Sequence, residues 1–185
     1  MTDKPKIITT APSLVGDKVY LRPATAEDVL NTHHWHLMSE PASMSCRPLT
    51  IRNAAAAAEA FKQEECSPNR QLFMVVRKKD NVPVGRTRFF DLNVHNRSAE
   101  FGMLIDPDER KKGHAREAVM LLCKYLFDVR GLNKVYAQTA EFNSGAIKLL
   151  ERCGFQKDGT LRRHYFHKGE FYDGLIYSIL QHEFK

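Results

Sequence analysis

The sequence predicts a mixed α/β fold built on one sheet, with the element order βααβββαβαββ. Short segments in which apolar and polar residues alternate, rich in Val, Ile, Phe and Tyr, predict the strands. Longer segments with apolar residues three and four positions apart predict the helices. The chain of 185 residues contains no internal repeat and no linker-like stretch, so we expect a single domain over residues 1–185.

The first part of the chain is expected to form one strand followed by two helices. Residues 18–23 alternate like a short strand. The sequence TAED at residues 25–28 is typical of a capping box, so a helix should begin there and continue to about Met38. Two prolines in residues 39–49 predict a loop, and the Ala- and Glu-rich residues 51–65 predict the second helix.

The rest of the chain is expected to alternate between strands and helices. A long amphipathic helix is predicted from a stripe of apolar side chains, namely Ala115, Ala118, Val119, Leu122, Leu126 and Val129. The other predicted elements are a hairpin of residues 71–78 and 82–92, a strand at 97–105, a strand at 131–140, a helix at 144–153 and a closing antiparallel pair within 161–180.

The composition indicates a soluble globular protein with an anionic partner. Hydrophobic residues make up 43% and charged residues 27% of the chain. The net charge of +6 suits nucleic acid, a membrane surface or a phosphorylated cofactor, and charge alone does not choose among them. No apolar run has the length of a signal peptide or a membrane span, so we expect a cytoplasmic protein without a membrane partner.

The cysteine and histidine patterns predict no metal site. Four widely spaced cysteines without a C-x-x-C pair indicate free thiols, and Cys123 and Cys153 are expected in the core. The cluster HHWH contains His33, His34 and His36. Adjacent histidines on a helix point to different faces, so this cluster is interpreted as packed or exposed at the surface.

The stretch DERKKGHARE, residues 108–117, joins a predicted strand to the long helix and is rich in basic residues. A helix N-terminus presents free N–H groups and a partial positive charge, and it binds phosphate when no side chain blocks it. Gly113 lacks a side chain and Ala115 has a small one. Four basic residues surround them: Arg110, Lys111, Lys112 and Arg116. A solvated basic loop is the alternative. The dinucleotide motif G-x-G-x-x-G and the nucleotide motif G-K-S/T are both missing.

Arg110, Gly113 and Ala115 match the pattern Q/R-x-x-G-x-G/A, and this pattern resembles the pyrophosphate loop of the GNAT superfamily of N-acetyltransferases. Residues 143–155, NSGAIKLLERCGF, are similar to the second signature of that family. Residues 159–173 resemble the branch with ribosomal-protein N-terminal, spermidine and nucleotide-sugar acetyltransferases. The resemblance spans about residues 17–181.

The resemblance implies a mostly antiparallel sheet flanked by helices, whose fourth and fifth strands splay apart to hold acetyl-CoA. The main chain of the fourth strand would pair with the pantetheine arm and stabilise the oxyanion. Asn143 would contact the same arm, although a plain helix cap is an equal alternative. The cofactor-binding residues implied in this way are Met103, Leu104, Ile105, Arg110, Lys111, Lys112, Gly113, His114, Ala115 and Asn143.

The expected acceptor is a primary amine, which is mostly protonated at neutral pH because its pKa is about 10.4. Removal of that proton is therefore the main catalytic need. By resemblance Glu100 is the candidate base, acting directly or through a water. A structural ion pair with Arg88 or Arg97 is the alternative role. Relatives carry a tyrosine or serine acid where this chain has Leu150 and Ala146. The general acid therefore stays open among water and four side chains: Ser144, Tyr136, Tyr165 and Tyr172.

The predicted function is transfer of an acetyl group from acetyl-CoA to an amine by direct attack in a ternary complex. The acceptor, a small molecule or a peptide, is open among a polyamine, a protein N-terminus, an amino sugar and an antibiotic. The net charge of +6 argues weakly against a strongly cationic acceptor. A catalytically silent acyl-CoA-binding sensor is the alternative. No nucleic-acid partner is expected, because the basic stretch lacks interleaved aromatic residues. The residues do not reveal the oligomeric state, although relatives are often homodimers.

Overall fold

The computed structural model describes residues 14–38, 53–65 and 67–185, and in these ranges the chain forms one seven-stranded sheet. The strands lie in the order β1-β2-β3-β4-β5-β7-β6, and every neighbouring pair is antiparallel except β4 and β5. The strands are β1 Val19–Pro23, β2 Gln71–Arg77, β3 Val82–Asn93, β4 Ser98–Ile105, β5 Lys134–Ala140, β6 Gln156–His167 and β7 Glu170–Leu180.

The helices confirm the predicted element order, with one difference. They are α1 Ala26–Asn31, α2 His33–Met38, α3 Ala54–Glu65, α4 His114–Asp128 and α5 Ser144–Arg152. The single helix expected up to Met38 is broken at Thr32, whose hydroxyl donates to the carbonyl of Asp28 at 2.7 Å. A threonine that bonds back to the preceding turn competes with the helix ladder. The loop predicted at residues 39–49 lies outside the described residues.

Strands β4 and β5 pair over only three residues and then separate. Their parallel register joins Ser98 to Lys134 and ends where Glu100 lies beside Tyr136. Beyond this point β5 continues along β7 as far as Ala140, while β4 stays paired with β3 up to Ile105. The splay expected between the fourth and fifth strands is therefore confirmed, and it opens a gap in the middle of the sheet.

The back face of the sheet, which carries Phe101 and Val135, packs against α4 and α5. The buried side chains of α4 are His114, Ala118, Val119, Leu121, Leu122, Cys123, Leu126 and Phe127. Most of the predicted apolar stripe is thus in the core. The exception is Val129, which is 59% exposed, because α4 ends at Asp128 and Val129 lies beyond its last turn.

The front face, which carries Arg86, Glu100 and Leu104, is covered on one side by the first three helices. Its small core consists of Tyr20, Ala24, Trp35, Met74 and Val76, with Phe61, Leu72 and Leu104 packed against it. The part of the front face around Glu100 is therefore bordered by α2 and by β3 and β4. No helix in the described part of the chain is long and apolar enough to cross a membrane.

The capping box predicted at the start of α1 is present and is joined to β1 by an ion pair. Thr25 accepts from the N–H of Asp28, and the Asp28 carboxylate accepts from the N–H of Thr25. Arg22 donates to the same carboxylate at 2.6 Å. Burial alone would raise the pKa of Asp28, but the hydrogen bonds from Arg22 and Thr25 outweigh it and keep the pKa below its usual value.

Replacement of Asp28 by alanine should lower the free energy of unfolding by about 1–2 kcal/mol at neutral pH. A carboxyl whose pKa is lower in the folded state stabilises the fold above its unfolded pKa of about 3.9, and this contribution is lost as the pH falls through the folded value. Thermal unfolding of both proteins as a function of pH measures the effect. The difference in Tm should shrink in acid, and a difference that stays constant would contradict the assignment.

Candidate active site

The loop between β4 and α4 gives the helix an open N-terminus. Gly113 directly precedes α4 with φ of 89°, a left-handed conformation that side chains other than glycine rarely adopt. Lys111 also has a positive φ, 61°. Within the described residues no side chain caps the first turn of α4. Its N–H groups are therefore available to an anion at the surface, as phosphate binding requires.

The Glu109 carboxylate lies close to basic side chains from β2, from this loop and from α4. Its carboxylate lies 2.8 Å from Nη1 of Arg77, 3.1 Å from Nζ of Lys112 and 3.4 Å from Nε2 of His114, the last without hydrogen-bond geometry. Burial acts to raise the pKa of Glu109, but the bonds from Arg77 and Lys112 prevail and lower it. His114 is buried, so only its main chain can reach a ligand at the helix start. These contacts join the loop to β2 and to the start of α4.

Lys18, which the sequence did not indicate, lies at the same helix start. Its Nζ is 3.4 Å from the carbonyl oxygen of Lys112, and a Cβ placed on Gly113 would be 3.2 Å from this Nζ. The carboxylate of Glu117, in the first turn of α4, accepts from the main-chain N–H groups of Asp17 and Lys18. The start of β1 is thus tied to the helix, and Lys18 adds a further positive charge.

Arg110 and Arg116 connect the loop to the elements on either side. The Nε of Arg110 lies 3.4 Å from the carbonyl oxygen of Ile105 at the end of β4. The Nε of Arg116 donates to the carbonyl of Arg152 at the end of α5, at 3.2 Å. The helix start therefore lies directly beside the mouth of the gap between β4 and β5.

The gap leaves one edge of β4 without a ladder partner in β5. Met103, Leu104 and Ile105 pair with β3, but the register with β5 ends at Glu100. Main-chain groups on that edge can pair with an extended ligand, as an added strand would. Asn143 caps α5, since its Oδ1 accepts from the N–H of Ala146 at 3.1 Å. This bond uses the oxygen only and does not involve the amide Nδ2.

Glu100 lies on the front face, just before β4 and β5 separate, and is 7% exposed. The Nε2 of Gln138 is 3.4 Å from its carboxylate. Arg97, one of its two expected ion-pair partners, donates through Nε to the carbonyl of Gly131 at 2.7 Å. Burial raises the pKa of Tyr136, and the charges of Glu100 and Asp91 raise it further. The phenol of Tyr136 therefore stays protonated and can donate a hydrogen bond.

Cys123, Cys153 and Leu150 occupy buried positions, and the hydroxyl of one candidate acid, Tyr172, has a hydrogen-bond partner. Cys123 and Cys153 are buried as expected, and burial raises the pKa of both thiols, that of Cys153 to about 11. Leu150 is in the core. The Tyr172 hydroxyl donates to Glu170 at 3.0 Å. Within residues 14–38, 53–65 and 67–185, no group of three His, Cys, Asp or Glu side chains converges as a metal site.

Known proteins share both the sequence pattern and the fold. The sequence profile of the acetyltransferase (GNAT) domain matches residues 18–156. A spermidine N(1)-acetyltransferase from Vibrio cholerae serotype O1 is 32% identical over 126 residues, which are 68% of this chain and 73% of that protein.

Two solved structures superpose on nearly the whole chain. The spermidine N-acetyltransferase of Vibrio cholerae in complex with CoA and spermine has a TM-score of 0.83 and 26% identity, over 90% of this chain and 97% of that chain. A dodecameric structure of the Vibrio cholerae spermidine N-acetyltransferase in an intermediate state has a TM-score of 0.75 and 25% identity, over 89% of this chain and 94% of that chain. The chain therefore belongs to the acetyltransferase (GNAT) family, as an acetyl-CoA-dependent N-acetyltransferase.

Proposed function

We propose that this enzyme binds acetyl-CoA across the start of α4 and the gap beside β4, and that Glu100 activates the acceptor amine from the front face. The observation that carries the proposal is the uncapped N-terminus of α4 after a left-handed Gly113, at the mouth of that gap. A diphosphate fits there because free N–H groups and several cations converge on a surface without an obstructing side chain.

The diphosphate would be held by main-chain N–H groups of residues 110–115, with charge from the basic side chains around them. Lys18 joins the basic residues predicted from the sequence, because its Nζ lies beside Gly113. Lys112 is shared with Glu109, so it contributes only part of its charge. Asn143 would donate through Nδ2 to the pantetheine arm, since its Oδ1 is already used by the helix cap.

The edge of β4 would provide both pairing and oxyanion stabilisation. Along Met103, Leu104 and Ile105 the main-chain N–H and C=O groups point alternately toward β3 and toward the gap, so alternate residues can pair with a ligand there. Acetyl-CoA supplies an acyl group activated as a thioester. An N–H group of this edge, fixed in place by pairing of β4 with β3, stabilises negative charge on the carbonyl oxygen without reorganisation during reaction.

Glu100 would take the proton from the acceptor ammonium, directly or through a water. The free amine then attacks the thioester carbonyl, a C–N bond forms and the C–S bond breaks. The attacking nitrogen loses one further proton, which balances the proton taken up by the thiolate. A thiolate, judged by a pKa of about 8.5, is a fair leaving group, so an acid is needed less than the base. Tyr136 lies beside Glu100 on the front face, and Ser144, Tyr165, Tyr172 and water stay open as acids.

The acceptor would be a small molecule or a peptide with a primary amine, and the active form a homodimer or a larger assembly. Relatives are named for spermidine, and one structural neighbour is dodecameric. Location in the cytoplasm stays a prediction. Light scattering coupled to size exclusion measures the assembly, and a mass of one chain, 21.2 kDa, would contradict it.

Release of free thiol from acetyl-CoA with a panel of amines tests the proposed function. The panel contains a polyamine, a peptide with a free N-terminus, an amino sugar and an aminoglycoside. We expect turnover with at least one class and a product mass increased by one acetyl group. Binding of acetyl-CoA without turnover on any amine would favour the silent sensor. Salt-sensitive binding to DNA or RNA that CoA does not displace would indicate a nucleic-acid-binding protein.

A further inference from the structure

Two arginines lie side by side on the front face of β3, next to the candidate base. Arg86 is opposite Leu104 of β4, and Arg88 is opposite Gly102. Phe90, two positions further along the same face, is opposite Glu100. Paired residues of antiparallel strands point to the same side, so Arg86, Arg88 and Glu100 face the same space.

Gly102 places no side chain between these residues. A Cβ at Gly102 would meet Phe90 at 3.5 Å and the Nε of Arg88 at 3.8 Å, so the ring and the guanidinium group lie on either side of this position. Gly102 lies between Glu100 and Leu104, on the face where we propose that the acceptor binds. The chemical character of this part of the face is therefore set by one carboxylate and two guanidinium groups.

Arg86 differs from Arg22, the arginine on the same face of the sheet in β1. Its side chain is half-buried, and among the described residues it has no hydrogen bond and no ion pair. Arg22, on the same face of β1, is neutralised by Asp28 at 2.6 Å. Burial, together with the positive charge of Arg88, lowers the pKa of Arg86 to about 10. A partly desolvated cation beside a like charge is costly and needs an anion to offset the cost.

We propose that Arg86, together with Arg88, binds a carboxylate or phosphate of the acceptor, so that the preferred substrate is an amine that also carries an anion. This inference rests on the proposed function and specifies its substrate class. A planar guanidinium forms paired, charge-assisted hydrogen bonds with such oxyanions. A free polyamine would instead place its second cation against two arginines. The chain would thus differ in specificity from relatives named for spermidine.

The spacing suits a compact substrate. Arg88 lies opposite Gly102, two positions beyond Glu100, and Arg86 lies opposite Leu104, four positions beyond it. These positions are about 7 and 14 Å from Glu100 along β4, and an arginine side chain is long enough to span much of that distance. An amino acid or an amino-sugar phosphate can therefore place its amine near Glu100 and its anion at the guanidinium groups. Both substrate classes present an oxyanion to the guanidinium groups, and the test distinguishes the carboxylate from the phosphate.

The test compares matched acceptors in steady-state kinetics. One arm pairs free amino acids with their carboxamides, a second pairs glucosamine 6-phosphate with glucosamine, and a third uses spermidine. We expect kcat/KM for the anionic member to exceed that of its neutral partner by at least about tenfold in one arm, because hydrogen bonds to charged groups have such an effect. That arm identifies the anion as carboxylate or phosphate.

Arg86→Met should reduce this ratio to near one by raising the acceptor KM, with the KM for acetyl-CoA unchanged. It should also raise Tm by about 2–4 °C, since an unpaired, half-buried charge is removed. Arg86→Lys keeps the positive charge without the planar guanidinium group and should give an intermediate ratio of the two kcat/KM values. Arg152→Met, an exposed arginine at the end of α5, is the matched control and should leave both quantities unchanged.

Several results would overturn the inference. Equal rates for both members of every pair, or a preference for spermidine, would show that the acceptor site does not select an anion. A wild-type ratio in Arg86→Met, or in Arg86→Lys where Arg86→Met does not fold, would show that Arg86 does not bind the anion. Turnover with neutral amines alone would leave the proposed acetyl transfer intact, whereas no turnover with any amine would contradict the proposed function itself.

Discussion

Replacement of Glu100 by glutamine should lower kcat by about 10²–10⁴-fold, the usual contribution of a positioned general base, with little change in the KM for acetyl-CoA. Glutamine keeps the size of the side chain and one hydrogen-bonding oxygen, so the contact with Gln138 can persist. It cannot accept the ammonium proton. The rate should therefore fall at every pH, and the limb of the pH–rate profile that reports the base should disappear.

A matched control separates this role from a structural one. Glu59→Gln makes the same chemical change on the exposed face of α3 and should leave kcat unaltered. Because Glu100 is 7% exposed, Tm must be measured for both variants. A folded Glu100→Gln enzyme with wild-type turnover and an unaltered pH–rate profile would assign Glu100 to packing and ion pairing alone.

Gly113→Glu should weaken acetyl-CoA binding by at least about 100-fold, equivalent to about 2.7 kcal/mol. At φ of 89° a side chain strains the main chain, and the Cβ would crowd Nζ of Lys18 at 3.2 Å. If the loop relaxes, its N–H groups no longer point at the diphosphate. The introduced carboxylate would also repel the phosphates and oppose the charge of the helix N-terminus. Calorimetric titration with CoA measures the loss.

Gly169→Glu is the control for this variant. Gly169 has φ of 90° at the turn between β6 and β7, and a Cβ there would meet nothing within 4 Å. Gly169→Glu introduces the same backbone strain and the same charge as Gly113→Glu, but at a turn that is not part of the proposed diphosphate site. We expect its affinity for CoA to equal that of the wild type. Equal loss in both variants would mean that strain, and not the anion site, determines binding.

The element types were predictable because each is encoded locally. The capping box at Thr25, the hairpin between β2 and β3 and the apolar stripe of α4 all depend on residues close in sequence. The break at Thr32 depends on one side-chain hydrogen bond that competes with the hydrogen bonds of the helix. The apolar stripe of α4 extends to Val129, but the helix itself ends one residue earlier, at Asp128. Propensity alone does not resolve such single-residue events.

The candidate site was predictable only where a local motif carries it. Gly113 and the basic residues near it adjoin one another in sequence. Lys18 is brought to them by Glu117, whose carboxylate binds the start of β1. Arg86 is an ordinary residue of an alternating strand, and only the sheet register, which places it opposite Leu104 and on the same face as Glu100, shows that it lies near the candidate base. Contacts between distant segments leave no pattern in a single sequence.

The most direct measurement is a crystal structure of the protein with CoA. The diphosphate should lie on the main-chain N–H groups of residues 110–115 with Nζ of Lys18 nearby, and the pantetheine arm should run along Met103, Leu104 and Ile105 in the gap between β4 and β5. A cofactor bound elsewhere, or a gap closed by pairing of β4 with β5 beyond Glu100, would contradict the assignment of the site.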